Sequence, residues 1–255
     1  MQTNKYDLEY NNLLSRLKTI SLDDLDKVKL LDRKDTKFVF NQNKLPLILG
    51  MIQNHYRVLE IENCQIFNYE NIYYDTDDFL FYKQHHNEQR KRYKVRFRKY
   101  SNSNKSFFEI KIKNNKNRTK KERMLVKEMS TKLESDQKFF LKEVTGIKSA
   151  QLVPSLDIQF SRITLVDNNF SERLTIDNNL VVKNKCSSKA FDKLTILEIK
   201  QPKYNPKSQF IHVLRSLNIH EMRFSKYCLG LVHVDQSLKY NRFKTKLLEL
   251  NKILA

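Results

Sequence analysis

Glycine is scarce in this chain of 255 residues: Gly50, Gly146 and Gly230 are its only three. A Walker A loop and a dinucleotide fingerprint each need several closely spaced glycines so that backbone can approach phosphate. Neither is present, and any nucleotide phosphates must be gripped by side chains. The three cysteines, Cys64, Cys186 and Cys228, are odd in number and far apart, which indicates neither a disulfide framework nor a cysteine-based zinc site. They fit a reduced, cytoplasmic protein. No uninterrupted apolar run approaches the roughly 20 residues that span a bilayer, and Met1 to Tyr10 lacks the apolar core of a signal peptide. Any attachment to the inner face of a membrane is therefore expected through a partner or a basic surface.

Acidic residues are also in short supply. Against 48 Lys plus Arg stand 29 Asp plus Glu, a formal charge of +19. That balance favours an anionic partner: nucleic acid, a phosphorylated molecule or polymer, or an acidic membrane surface. Lys, Asn and Ile are abundant throughout, as AT-rich coding DNA would produce, so bulk lysine says little. Arginine at regular spacing says more, because its planar fork suits bidentate phosphate contacts. The stretch Arg92–Tyr100, RYKVRFRKY, has that spacing. Side chains of a strand alternate between faces, so Arg92, Lys94, Arg96 and Arg98 share one face while Tyr93, Val95 and Phe97 share the other. Solvent alone could satisfy one such face. The same pattern recurs with carboxylates added, which points to charged faces meeting around one cavity.

Eight segments read as strands: 32–40, with Arg33, Asp35 and Lys37 on one face; 65–75; 92–100; 106–113, with Glu109, Lys111 and Lys113 alternating; 122–127; 156–166, carrying Arg162; 172–182, with Arg173, Thr175 and Asp177; and 193–201, with Glu198 and Lys200. Residues 114–121 read as a polar loop. Helical spacing appears at Tyr10, Leu13, Leu14 and Leu17, and Ser21 with Asp23 and Asp24 reads as the cap of a second short helix. Further helices are expected over about 44–53, where Pro46 is tolerated in the first turn, and over 134–144, 208–217, 225–234 and 238–254. Residues 77–87 read as a short helix or turn. Apolar helical stripes must be buried, and so must the apolar strand faces. A closed antiparallel barrel meets both demands if charged residues line its lumen and helices cover its outside, and eight strands leave room for one small or elongated ligand. The expected class is thus α+β: an eight-stranded antiparallel β-barrel with flanking helices. Residues 1–30 are expected to form a helical segment packing on it, 31–235 the tunnel domain and 236–255 a C-terminal helix.

Several short motifs occur in an order that resembles the VTC domain, the polyphosphate polymerase module of the vacuolar transporter chaperone complex and a branch of the triphosphate tunnel metalloenzymes. They are Arg33-x-Asp35-x-Lys37-Phe38, Tyr73-Tyr74-Asp75-Thr76, Arg92-x-Lys94-x-Arg96-x-Arg98-x-Tyr100, Glu109-x-Lys111, Arg173-x-Thr175-x-Asp177, Leu197-Glu198-x-Lys200 and Ser225-Lys226-Tyr227. The resemblance implies a tunnel in which the γ-phosphate of ATP passes to a growing polyphosphate chain with the help of Mn²⁺ or Mg²⁺. It implies phosphate contacts by Lys37, Arg96, Arg98, Lys111, Arg162, Arg173 and Lys226. Arg33, Arg92, Lys94, Lys113 and Lys200 would assist in binding, with Arg92 and Lys94 nearer the mouth. Glu198 is the implied metal ligand, with Glu109 and Asp35 either joining it or pairing with the lining cations.

Two departures shape these expectations. Many tunnel enzymes open with Glu-x-Glu-x-Lys, whereas Arg33-x-Asp35-x-Lys37 stands here, which favours the VTC branch and leaves fewer carboxylates for metal. Eukaryotic relatives also carry a phosphate-sensing domain and transmembrane helices, so a separate membrane partner is expected to complete any export machine. A triphosphate hydrolase of the same fold is the nearest alternative. A binding module for polyphosphate or nucleic acid is another, though carboxylates recurring among the cations speak against nucleic acid. His85, His86 and Glu88 are expected to be exposed polar residues. Lys116, Arg118, Lys120, Lys121 and Arg123 form either a lid over the mouth or a solvated loop.

Overall fold

A computed structural model of the protein describes residues 5–27, 33–114, 119–147 and 152–255. The strand pattern of alternating charged and apolar residues resolves into one curled sheet. Its main path runs through eight strands in the order β2 (Lys34–Asn41), β11 (Leu194–Gln201), β9 (Arg173–Lys183), β8 (Leu152–Asp167), β4 (Phe67–Thr76), β5 (Arg92–Tyr100), β6 (Lys105–Lys113) and β7 (Thr119–Val126). All neighbours on this path are antiparallel. Three short strands join at its margins: β1 (Lys18–Ile20) pairs in parallel with β3 (Tyr56–Leu59), β3 pairs with β8, and β10 (Ser188–Phe191) pairs with β9.

The expected barrel corresponds to this path, with one correction. No β2–β7 ladder closes it among the described residues, so the tunnel is a curled sheet with a seam. The free edge of β2 is met instead by residues 221–222: Phe38 and Glu221 form an isolated antiparallel bridge, and the Met222 N–H donates to the Lys37 carbonyl at 2.9 Å.

The apolar sheet face looks outward. Phe38, Phe40, Ile163, Leu165, Leu174, Ile176, Leu197 and Ile199 pack with residues of α1 (Lys5–Leu14), α3 (Leu45–Ile52) and α6 (Gln209–Ser216). Around the curl, Tyr74, Tyr93, Val95, Phe97, Phe108 and Ile110 pack with Phe81 of α4 (Leu80–His86) and with Leu141, Phe140 and Val144 of α5 (Ser135–Thr145). The usual sheet is turned inside out, and helix burial against the exterior sets its stability. Tyr10, Leu14 and Leu17 join the first of these cores, and α2 (Leu22–Lys27) carries Leu25 into a smaller one.

The concave face is charged at its centre and apolar toward one end. Leu156, Ile158 and Phe160 share the face of Arg162, and Val39 and Ile196 share that of Lys37 and Glu198. That apolar end is covered by α7 (Lys226–Val234) and α8 (Lys244–Leu254) through Tyr227, Leu229, Leu231 and Leu250. Gly230 makes the close approach possible, because a Cβ there would lie 2.9 Å from Val182 Cγ1 and 3.2 Å from Leu156 Cδ2.

Other expectations need correction in detail. The polar loop is shorter than read: β7 begins at Thr119 because Lys121 and Arg123 register with Lys111 and Glu109. Lys116 and Arg118, and Asp32 at the expected start of the first strand, lie outside the described residues. The last helix begins at Lys244 after a single 3-10 turn at Asn241–Phe243, leaving Tyr240 exposed rather than on its apolar stripe. His86 is buried against Tyr82 and Phe243, and His85 Nε2 lies 3.2 Å from the Tyr93 carbonyl oxygen, so neither is a solvated surface residue.

Candidate active site

Strand register brings the charged residues to one face. Lys37 is opposite Glu198, Asp35 opposite Lys200, Lys200 opposite Arg173, and Arg162 opposite Asp177. On the other side Arg92 is opposite Lys113, Lys94 opposite Lys111, and Arg96 opposite Glu109. Electrostatic influence crosses the lumen: Lys111 on β6 and Lys37 on β2 each feel the other side's charges, Asp35 acting on Lys111 and Lys111 on Lys37. The two walls therefore face a common space.

Three carboxylates organise the cations. Asp177 accepts Arg162 Nε at 2.6 Å and Nη2 at 2.8 Å, a bidentate fork, and also accepts Lys226 Nζ. Glu198 takes Lys37 Nζ on one oxygen and Lys200 Nζ on the other. Glu109 accepts Arg96 Nε at 2.9 Å and Nη2 at 2.6 Å and pairs with Lys121 Nζ at 2.6 Å, while Arg98 Nε lies 3.9 Å away. Arg98 instead donates to Asn71 Oδ1 at 2.9 Å, and Arg96 Nη1 donates to the Tyr73 hydroxyl at 2.7 Å.

Burial by itself would raise the Glu109 and Asp177 carboxyls, but Arg96 with Arg98 and Lys121, and Arg162 with Lys226, hold them well below the usual carboxylate range. The lysines show the opposite strain. Burial pulls Lys111 down to about 8, with Lys94 and Arg96 adding to the effect and Asp35 opposing it. Burial and the ammonium groups of Lys200 and Lys226 also push Lys37 down, against the pull of Asp35. Lys111 is reached by water yet enclosed by protein, and among the described residues no carboxylate forms an ion pair with it. An anion entering the lumen would relieve this.

The remaining expected residues lie at the margins. Arg33 Nε donates to Asp35 Oδ1 at 3.1 Å, and Lys94 Nζ reaches Ser225 Oγ, the cap of α7, at 3.2 Å. Arg92 and Lys113 share the end of the β5–β6 ladder with Arg223 nearby, and burial with those arginines lowers Lys113. Tyr73 lines the lumen and stacks on Tyr227, while Tyr74 belongs to the outer core. Asp75 is buried, accepting the N–H groups of Phe81 and Tyr82 and the hydroxyl of Tyr227; it anchors α4 and α7.

Sequence reasoning put Lys121 in a lid or solvated loop, whereas it lies on β7 and pairs with Glu109, and it missed Asn71, which carried no signal. Among the described residues no group of three or more metal-ligating side chains is gathered, so Glu198, Glu109 and Asp35 do not form one cluster. Glu198 and Asp35 lie on adjacent strands, two register positions apart. Glu198 already takes Lys37 and Lys200, and Asp35 takes Arg33, so a divalent ion here would have to displace these cations and draw its other ligands from waters and substrate phosphates.

An antiparallel curled sheet with cations and carboxylates on its concave face defines a tunnel fold. A family model, the VTC domain, matches residues 32–234, and the chain belongs to the VTC domain family. No curated protein matches the chain. Solved structures resemble the chain at low identity. One is a Hippeastrum protein described as a candidate adenylyl cyclase with a dominant triphosphatase activity, with TM-score 0.51 and 10% identity over 81% of this chain and 98% of that one. Another is a candidate adenylate cyclase from Bacillus halodurans, with TM-score 0.49 and 13% identity over 76% and 96%. Among the described residues no helix is long and apolar enough to cross a membrane.

Proposed function

We propose that the protein is a tunnel phosphotransferase that moves the γ-phosphate of ATP to inorganic polyphosphate. The observation that carries this reading is the β5–β6 wall, where Arg92, Lys94, Arg96, Arg98, Lys111 and Lys113 share one concave face with a single carboxylate, Glu109. Phosphoryl transfer asks chiefly for alignment and for neutralisation of charge spread over the phosphate oxygens. Arg96, held by Glu109 and Tyr73, and Arg98, held by Asn71, present fixed guanidinium groups for that purpose. Lys111 supplies an ammonium charge opposite Lys94. Arg162, Lys37, Lys200 and Lys226, with positions set by Asp177 and Glu198, complete the opposite wall together with Arg173, which registers opposite Lys200. Glu198 and Asp35 would hold a divalent cation, Mg²⁺ or Mn²⁺, which when bound offsets charge on the β- and γ-phosphates.

Incubation with ATP and Mn²⁺ tests the reading. A polymer that exopolyphosphatase degrades is the expected product. Orthophosphate without polymer would instead support triphosphate hydrolysis, a second reading favoured by the apolar cover of α7 and α8 over one end of the lumen, which narrows the passage for a long chain. Attachment to a separate membrane partner, at the cytoplasmic face, belongs to the same proposal.

A further inference from the structure

Chain growth from ATP needs an acceptor for the first phosphate, before any chain exists. Two hydroxyl groups on the concave face are already engaged. Ser225 Oγ caps α7, accepting the Cys228 N–H at 3.2 Å, and also takes Lys94 Nζ. Thr175 Oγ1 takes Lys200 Nζ at 3.4 Å and is buried. Tyr73 differs from both. Its position opposite Arg96 on β5 puts it on the charged face, and its ring stacks on Tyr227 with centroids 5.0 Å and planes 18° apart. Arg96 Nη1 donates to its hydroxyl oxygen at 2.7 Å, and among the described residues no acceptor meets the hydroxyl's own hydrogen. By contrast, Tyr56 donates to Glu172, Tyr74 to the Ser130 carbonyl, Tyr82 to the Lys239 carbonyl and Tyr227 to Asp75.

Charge then sets the chemistry of this oxygen. Burial would raise the Tyr73 phenol, but Arg96, Lys94 and Arg98 outweigh burial and bring it below the usual value. Lys226 feels its charge from α7. Tyr69, four residues earlier on the same face of β4, goes the other way: burial raises it against Arg162 and Arg98. A hydroxyl held in place by an arginine and a ring stack, and eased toward its ionised form, is an activated nucleophile. The arginines that ease it are those that would grip the γ-phosphate. Phosphoryl transfer has a loose transition state, in which position and charge count for more than nucleophile strength.

We propose that Tyr73 is the first phosphate acceptor of the tunnel, becoming a phosphotyrosine from which the chain starts. The proposal rests on the phosphotransferase reading and adds a self-priming step to it. The phenol gives its proton to solvent, its oxygen bonds the γ-phosphorus, and the bond from that phosphorus to the bridging oxygen breaks with its electron pair leaving on ADP. The new phosphate offers oxygens for the next transfer, and Arg96, Arg98 and Lys226 balance the charge it adds.

Incubation of the full chain with γ-labelled ATP and Mn²⁺, with no polyphosphate added, tests the step. Acid treatment removes polyphosphate and any phosphate on nitrogen and leaves phosphotyrosine, which mass spectrometry of the digest is expected to locate at Tyr73. Tyr73→Phe keeps the ring stack and removes the acceptor. Its polymer synthesis from ATP alone should fall at least about tenfold further than its synthesis with tripolyphosphate supplied as a chain end. If both rates fall alike, the hydroxyl only supports Arg96 and the proposal is overturned. A wild type that makes polymer with no label on Tyr73, or with the label on Tyr69 or Tyr100 instead, overturns it too while the phosphotransferase reading stands. If the wild type makes no polymer with or without tripolyphosphate, that reading fails and self-priming with it.

Discussion

The two walls of the tunnel carry similar residues and balance them differently. On the wall formed by β2, β11, β9 and β8, with the first turn of α7, cations come with their counter-charges: Arg162 and Lys226 on Asp177, Lys37 and Lys200 on Glu198. On the β5–β6 wall six cations share Glu109, which Lys121 of β7 also claims. Burying a paired charge is tolerable and burying an unbalanced one is costly. The first wall is therefore a scaffold that holds cations in place without ligand. The second is the wall whose charge only a ligand completes.

The contrast can be broken most forcefully at Arg162. Replacing it by Ala strips the bidentate partner from buried Asp177, and the fold should lose about 3–5 kcal/mol, read as a lowered urea midpoint. Arg98→Ala, on the other wall, should instead weaken tripolyphosphate by about 2 kcal/mol, roughly 30-fold, with little change in midpoint, because its like-charged neighbours gain from its removal. Equal stability losses for the two variants would erase the distinction. Lys111→Met should cost about tenfold in affinity and remove a pH dependence. Lys111 binds phosphate as the ammonium form, and its pKa near 8 means that affinity should fall as pH rises through about 8 in the wild type. Binding at pH 8.5 should also take up a proton, seen as heats that differ between buffers of unlike ionisation enthalpy. The smallest effect is expected at Lys94, which reaches Ser225 beside the β5–β6 end. Lys94→Met should shift affinity by no more than about 1 kcal/mol, chiefly through a flatter dependence on salt.

Much of this was legible in the sequence because period-two alternation encodes both faces at once. Arg92, Lys94, Arg96 and Arg98 could share a face only in a strand, and the apolar stripes of the helices needed an apolar exterior to cover. Long-range geometry was less legible. Nothing local to Asn71 shows that Arg98 will lie against it, since that contact depends on β4 and β5 pairing. The apolar cover of α7 arises from a β-bulge near Asn179, a positive-φ residue, which turns Leu180 and Val182 to the concave face. A bulge changes the alternation that a sequence reader counts on.

The central claim is that the enclosed surplus of positive charge is the seat of a triphosphate. Denaturation of the wild type with tripolyphosphate at about 100 times its dissociation constant tests it most directly, with single-stranded RNA of equal charge as competitor. A stabilisation of about 2.7 kcal/mol that Arg98→Ala largely loses and RNA does not displace is the predicted result. An unchanged midpoint, or RNA competing as well as tripolyphosphate, would contradict the account.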